Sequence, residues 1–133
     1  MLTACATPNF IPQTSEDTVS DIQLSKVYVR GIFNWWEAEP AYLLSKGSDG
    51  AYSITMELIA DGQPYDFRLS DEYWSPSNSC GGAVVTPISE NERFELYCNG
   101  SSRNLQFTPT TTGIYKFSVY QKAAELILVI DRQ

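Results

Sequence analysis

Short stretches of alternating apolar and polar residues recur along the chain and predict β-strands. The clearest stretch is 51–59, where Tyr52, Ile54, Met56 and Leu58 alternate with polar residues. Successive side chains of a strand point to opposite faces, so this pattern indicates one buried and one exposed face. Similar patterns predict further strands at 26–33, 41–46, 65–69, 83–88, 93–98, 105–107, 114–120 and 125–131.

Turn signals separate these strands, and we find no stretch with the period of an amphipathic helix. Asp61-Gly62 and Asn99-Gly100 are typical of hairpin turns, because Gly tolerates the positive φ that tight turns require. The strand at 125–131 is apolar on both faces, which predicts a central position in its sheet. About seven to nine short antiparallel strands with turns between them predict an all-β fold, a β-sandwich.

The first 24 residues differ from the remainder in composition. Residues 6–24 are rich in Thr, Pro, Ser, Glu and Asp, and such a segment buries too little apolar surface to fold. We therefore predict a flexible tether at 1–24 and one domain at 25–133.

Leu2-Thr3-Ala4-Cys5 resembles the lipobox of bacterial lipoproteins. The resemblance implies that residues 1–4 end a longer signal peptide and that the sulfur of Cys5 carries a lipid. The chain would then be anchored to a membrane of the bacterial cell envelope. Ala6, rather than Asp, follows Cys5, and by resemblance to the sorting rule of enteric bacteria this favours the outer membrane. The alternative is a free thiol near the N-terminus.

Charge and composition exclude several classes of function. The net charge of -7 argues against nucleic acid and against electrostatic binding to anionic lipid. The chain contains no histidine, so the commonest general base and zinc ligand are missing. Asp66, Asp71 and Glu72 are interpreted as hydrated turn carboxylates rather than a glycosidase pair or a Ca²⁺ site. We predict no enzyme activity, no cofactor and no metal.

Two cysteines lie inside the predicted domain. Cys80 opens a loop and Cys98 ends a predicted strand. In an exported protein we expect a disulfide between them, and the alternative is two buried thiols.

Aromatic clusters follow two of the predicted strands and contain all three tryptophans. The first cluster ends the stretch Val27-Tyr28-Val29-Arg30-Gly31-Ile32-Phe33-Asn34-Trp35-Trp36, and the second ends Tyr65-Asp66-Phe67-Arg68-Leu69-Ser70-Asp71-Glu72-Tyr73-Trp74. Large aromatic residues beyond a strand end are poorly explained by the core alone. Gly31, inside the first strand, indicates a bulge or a close approach of another backbone.

Residues 26–75 resemble the glycogen- and starch-binding early-set domains. Val-x-Val-x-Gly-x-Phe-Asn-x-Trp and Tyr-x-Phe-Arg-Leu-x-Asp-x-x-Trp carry the resemblance, and Gly-x-Tyr-x-Phe-x-Val at 113–119 supports it. Such domains occur in the AMP-activated kinase β subunit, in pullulanases and in starch-binding outer-membrane lipoproteins. The resemblance implies an immunoglobulin-like β-sandwich, in agreement with the strand pattern.

The family motif implies which residues bind carbohydrate. Trp36 and Trp74 would stack on glucose rings, whose C–H faces suit an indole, and Arg68 would donate to hydroxyl groups. We expect further polar contacts from Asn34, Asp71, Glu72 and Asn78, with Asn34 also serving as a structural turn residue. Trp35 and Tyr73 are expected to flank the site, and the pattern leaves open whether Trp35 or Trp36 faces solvent.

We therefore predict a non-catalytic domain that binds α-glucan or maltooligosaccharide. The alternative is a structural domain, or one that binds other envelope proteins through its aromatic cluster, because fold alone does not determine function.

Overall fold

Two β-sheets make up most of the computed structural model, which describes residues 22–133. The first sheet contains β1 (Tyr28–Gly31), β4 (Tyr65–Ser70), β5 (Cys80–Gly81), β6 (Thr86–Ile88), β8 (Tyr97–Cys98) and β9 (Leu105–Phe107). The second contains β2 (Ser45–Lys46), β3 (Tyr52–Leu58), β7 (Phe94–Glu95), β10 (Gly113–Lys122) and β11 (Glu125–Arg132). Short 3₁₀ helices lie at Leu24–Lys26, Ile32–Asn34, Pro40–Tyr42 and Pro76–Asn78.

The two sheets pack face to face, which confirms the predicted all-β sandwich. Phe67 of the first sheet packs edge-on against Phe117 of the second, with ring centroids 5.3 Å apart. Phe107 and Tyr115 make the same kind of contact, also at 5.3 Å. All four rings are almost completely buried. Full burial of a side chain of this size stabilises a fold by about 1.5–3 kcal/mol, so these rings contribute strongly to the core.

The second sheet matches the alternation in the sequence closely. In β3, Ile54, Met56 and Leu58 are buried while Thr55 and Glu57 are exposed. β11 has neighbours on both sides, as predicted for an apolar strand, although it pairs with β7 over only two residues.

The predicted strand at 93–98 is divided between the two sheets. Phe94–Glu95 forms β7 beside β11, whereas Tyr97–Cys98 forms β8 beside β5. Leu96 lies buried between them, and its N–H donates to the carbonyl of Leu126 at 2.8 Å. Alternation alone predicted one strand because it does not show where a strand changes sheets.

Three further details differ from the sequence-based expectations. Of the predicted strand at 41–46, only Ser45–Lys46 forms a strand, because Pro40–Tyr42 is a 3₁₀ helix. Gly62 adopts φ +86°, as a turn requires, but β3 and β4 belong to different sheets, so the turn joins the sheets instead of closing a hairpin. Residues 83–85 are exposed loop, and the remaining part of that predicted strand, β6, pairs with β9 in parallel.

The pairing of β1 with β4 positions the aromatic clusters. Val29 lies opposite Leu69, and both are buried in the core. Arg30 lies opposite Arg68, on the outer face of the sheet. A Cβ on Gly31 would meet the carbonyl oxygen of Asp66 at 2.5 Å, which confirms the predicted close approach.

Cys80 and Cys98 form the expected disulfide, which joins β5 to β8. Ile22 and Leu24 pack against the core, so packed structure begins a few residues before position 25. Cys5 and the predicted tether up to residue 21 lie outside the described residues. Among residues 22–133, no helix is both long and apolar enough to cross a bilayer.

Candidate functional site

Trp36 and Trp74 come together over the outer face of the β1–β4 pair. Their ring centroids are 6.5 Å apart and their planes are inclined by 42°. We call these two rings the tryptophan platform. Trp36 ends the 31–36 loop, which follows β1, and Trp74 belongs to the 71–75 loop, which follows β4.

The two loops start from opposite ends of the strand pair. β1 and β4 are antiparallel, with Gly31 opposite Phe67 and Tyr28 opposite Ser70. The strand ends are therefore about 10 Å apart, the length of three strand residues. Each loop turns back over the outer face of the sheet, and only this return brings the two indoles together.

Arg30 binds both loops at once. Its Nε donates to the carbonyl of Trp36 at 2.8 Å, and its NH1 group donates to the carbonyls of Asp71 at 2.9 Å and Glu72 at 3.2 Å. The guanidinium carbon lies 4.0 Å from the ring centroid of Trp74. Hydrogen bonds from a charged donor are stronger than neutral ones, so this side chain holds the platform in place.

Trp74 also contacts the second arginine. The guanidinium carbon of Arg68 lies 4.8 Å from the ring centroid, and its NH1 group donates to the carbonyl of Ser102 at 2.8 Å. Like charges on opposite strand positions normally destabilise a sheet. An indole face attracts each cation by about 0.5–2 kcal/mol, so Trp74 offsets the repulsion between Arg30 and Arg68.

Burial affects the titration of both guanidinium groups. It lowers the pKa of Arg30, and the carboxylates of Asp71 and Glu37 partly offset this effect. Burial, followed by the charge of Arg103, lowers the pKa of Arg68. Arg68 also has a buried Nε without a hydrogen-bond partner among the described residues.

Asn34 shapes the 31–36 loop from within. Its side-chain oxygen accepts the N–H of Gly31 at 2.9 Å, and its amide nitrogen donates to the carbonyl of Val29 at 3.0 Å. The side chain is buried. The structure therefore assigns Asn34 the structural role that the sequence suggested, with its amide engaged inside the protein.

All three tryptophans adopt left-handed backbone conformations. Their φ angles are 58° for Trp35, 60° for Trp36 and 56° for Trp74. This region is strained for bulky side chains, at about 1–2 kcal/mol per residue, and it favours glycine. Such strain often accompanies functional sites. Here the left-handed conformation of these residues allows each loop to return over the sheet.

Asp71 organises the 71–75 loop. Its Oδ1 accepts the N–H groups of Tyr73 at 3.1 Å and Ser75 at 2.9 Å, and its Oδ2 accepts the amide of Asn78 at 3.2 Å. Burial alone would raise the pKa of Asp71, but the hydrogen bonds from Ser75, Asn78 and Tyr73 outweigh that effect and lower it. The carboxylate therefore stays ionised at neutral pH and fixes the loop.

Trp35 and Tyr73 flank the platform and project into solvent. Trp35 is 86% exposed and Tyr73 is 79% exposed, whereas Trp36 is only partly exposed. Trp35 is therefore the neighbouring indole that faces solvent, and Trp36 packs beside Trp74. Both exposed aromatics can contact a bound molecule.

Most of the residues predicted to bind carbohydrate lie at one of two places. Trp36, Trp74 and Arg68 meet at the platform. Asp71, Tyr73 and Asn78 instead line a cleft beside it. Glu72 also lines this cleft, whereas Asn34 lies beneath the 31–36 loop, at neither place.

Sequence reasoning missed Arg30, whose side chain donates hydrogen bonds to both loops. The alternation Val27, Val29 already implies that Arg30 points away from the core. The pattern does not reveal the pairing register, which places Arg30 opposite Arg68. Residues 22–133 contain no group of three or more His, Cys, Asp or Glu side chains placed to hold a metal ion.

Comparisons with known proteins agree with this fold. No protein-family model matches the chain. The solved structure "Ligand induced structure of AmyP-SBD", of a starch-binding domain, superposes on 84% of this chain and 75% of its own, with a TM-score of 0.59. The sequence identity is 17%, so this similarity concerns the fold.

One curated relative shares local sequence with the chain. It is the "Alpha-amylase" of Niallia circulans, which is 45% identical over 62 residues, or 45% of this chain. The matched segment is about 5% of the amylase. Both comparisons agree with the predicted resemblance to starch-binding early-set domains. The structural similarity establishes the β-sandwich fold.

Proposed function

We propose that this chain binds α-glucan chains non-catalytically through the tryptophan platform. The observation that carries the proposal is the pair of indoles 6.5 Å apart on the outer face of the first sheet. A pyranose ring presents a C–H face that stacks on an indole, while its hydroxyl groups need polar partners at the rim. The inclination of 42° suits an α-linked chain, whose successive rings are not coplanar.

The known relatives support this proposal. AmyP-SBD, which shares the fold, is a starch-binding domain. The protein with local sequence similarity is named an alpha-amylase. The amylase match covers too little of that enzyme to transfer its hydrolytic activity. Binding without hydrolysis is therefore the function that we assign.

Titration with maltoheptaose tests the proposal. The full chain should bind the sugar weakly, because one or two stacking contacts supply only a few kcal/mol. We expect Trp36→Ala and Trp74→Ala to abolish the heat of binding in calorimetry. Tyr120→Ala, which alters an aromatic residue of the second sheet, should leave it unchanged, and cellohexaose should not bind.

A second candidate function is binding to another protein of the envelope. The observation that favours it is the exposure of Trp35 and Tyr73, because exposed aromatic clusters often mark protein interfaces. A wild-type chain that gives no signal with millimolar maltoheptaose would reject the glucan proposal and favour this one.

We also propose that Cys5 carries a lipid and anchors the chain in the bacterial envelope, at the outer membrane. The support is the Leu2-Thr3-Ala4-Cys5 pattern and the polar composition of residues 6–24. Mass spectrometry of the protein from its native membrane fraction tests this idea. A lipid-modified N-terminal peptide beginning at Cys5 is expected, and an unmodified peptide that continues upstream of Cys5 would contradict it.

A further inference from the structure

A cleft of about 530 Å³ with both polar and apolar lining residues opens beside the tryptophan platform. Its volume lies within the range of small-molecule binding sites. On one side it is bounded by the segment that precedes β1, and on the other by the 71–75 loop. The residues that matter for its chemistry are Gln23, Ser25, Lys26, Tyr28, Glu72 and Tyr73.

The cleft and the platform share one strand as their floor. Tyr28, in the cleft, lies two residues before Arg30 on β1, and both side chains occupy the outer face. Two strand residues span about 7 Å. Tyr73 lines the cleft, and the next residue, Trp74, belongs to the platform. An oligosaccharide that lies on the platform can therefore extend its neighbouring sugar units into the cleft.

The wall of the cleft is held in place by a chain of hydrogen bonds. The side-chain oxygen of Asn78 accepts the N–H of Gln23 at 3.0 Å, and its amide donates to Asp71 at 3.2 Å. Asp71 in turn accepts the N–H of Tyr73 at 3.1 Å. The segment before β1 and the 71–75 loop are thus joined through Asn78 and the carboxylate of Asp71. These hydrogen bonds fix the shape of the cleft.

The lining chemistry suits a neutral molecule rich in hydroxyl groups. Lys26 supplies one positive charge, and Glu72 and Asp71 supply one negative charge each, so the lining disfavours an anion. The Asp71 carboxylate already accepts three hydrogen bonds from the 71–75 loop and Asn78, so the cleft does not require a cation. Tyr28 and Tyr73 offer apolar ring surface, and Ser25 and Gln23 offer hydrogen-bonding groups at the rim. A sugar needs this combination of ring surface and polar partners.

We infer that this cleft is a second subsite, which binds the next units of the same α-glucan chain that lies on the platform. The inference rests on the proposed function. It adds that affinity depends on chain length, because a short oligosaccharide fills the platform alone. A longer one also contacts Tyr28 and Tyr73.

Calorimetry with maltotriose and maltoheptaose tests the subsite. In the wild type, maltoheptaose should bind about two- to tenfold more tightly, the effect of one additional aromatic contact. Ser25→Trp fills the cleft from an exposed position. We expect this variant to bind both sugars with the affinity that the wild type has for maltotriose. Ser48→Trp, at an exposed turn next to the second sheet, is the matched control and should keep the dependence on length.

Tyr73→Ala provides an independent variant, because a side chain that is 79% exposed can be removed without disturbing the core. It should weaken the binding of maltoheptaose by a larger factor than the binding of maltotriose, because Tyr73 lines the cleft and also flanks the platform. The subsite would be refuted if the wild type bound both sugars with equal affinity, or if Ser25→Trp lowered the affinity for both sugars by the same factor. Either result would still be compatible with binding at the platform. Absence of binding to either sugar by the wild type would instead overturn the proposed function itself.

Discussion

The guanidinium of Arg30 lies 4.0 Å from the ring centroid of Trp74, and the same group donates to the carbonyl of Trp36. One buried side chain of β1 therefore contacts both halves of the tryptophan platform. Arg30 is only 7% exposed. Its N–H groups donate to backbone carbonyls of both returning loops, and the carbonyl of Asp71 also accepts the N–H of Trp74 at 3.4 Å.

Removal of the Arg30 donors should release both loops. Arg30→Met keeps the length of the side chain, and we expect it to lower the free energy of unfolding by about 2–3 kcal/mol. Affinity for maltoheptaose should fall even where the variant is fully folded. Urea denaturation and calorimetry measure the two effects. Arg93→Met, at an exposed position, is the control. Wild-type affinity in the Arg30 variant would show that Arg30 does not position the indoles.

The strain at Trp35 should be measurable. Asn tolerates the left-handed conformation better than other residues, so Trp35→Asn should raise the free energy of unfolding by about 0.5–1 kcal/mol. Trp35→Ala removes the same exposed ring, but Ala lacks the polar side chain with which Asn can hydrogen-bond locally in this conformation, so it should give no such gain. Urea denaturation compares the two variants. Equal stability would mean that the φ of 58° carries no cost.

Gly31 should not tolerate a side chain. In Gly31→Ala the new Cβ would meet the Asp66 carbonyl oxygen at 2.5 Å and the Phe67 Cβ at 2.8 Å. We expect a loss of about 2–3 kcal/mol, as for overpacking. The control is Gly113→Ala, where the nearest atom lies at 3.6 Å. It should stay within about 0.5 kcal/mol of the wild type in denaturation experiments. Similar losses in both variants would contradict the close approach at Gly31.

The disulfide should contribute to stability through the unfolded chain. Cys80 and Cys98 are 18 residues apart, and closure of a loop of this size is worth about 3 kcal/mol. The double variant Cys80→Ala/Cys98→Ala should lose that amount in urea denaturation. A reductant should lower the denaturation midpoint of the wild type and leave the double variant unaffected. A midpoint insensitive to reductant in both proteins would refute the stabilising role.

Protonation of Asp71 should lower the free energy of unfolding at acid pH. Its pKa is lower in the folded state than in the unfolded chain, so its carboxylate stabilises the fold above the unfolded-state pKa of about 3.9. This contribution is lost as the pH falls through the lower folded-state pKa. The difference in free energy of unfolding between the wild type and Asp71→Asn should therefore stay constant from neutral pH to about pH 5 and shrink as the pH falls further. A difference that does not shrink below about pH 5 would contradict the assignment.

Much of the sandwich could be predicted from local patterns. The alternation in 51–59 correctly separated buried Ile54 and Met56 from exposed Thr55. The close backbone approach at Gly31 was also predicted, because a strand residue without a side chain indicates such a contact. The division of 93–98 was not predicted, because burial of Leu96 looks the same in one sheet as between two.

The candidate site was predicted in part. Its two principal residues, Trp36 and Trp74, are aromatics that the core does not need, and local sequence reveals such a surplus. The separation between the platform and the cleft lined by Asp71, Tyr73 and Asn78 could not be read from the chain. It depends on the path of the 71–75 loop, which the carboxylate of Asp71 determines through hydrogen bonds.

The sequence by itself determined most of the strands, their buried faces and the surplus of tryptophans beyond two strand ends, because each of these follows from the order of neighbouring residues. The tertiary structure decided that the indoles meet. Their loops leave an antiparallel pair at opposite ends, and the backbones of Trp36 and Trp74 adopt a conformation that no local preference favours. The hydrogen bonds of Arg30, across 41 positions to Asp71, hold that arrangement, and only the folded chain brings those groups together.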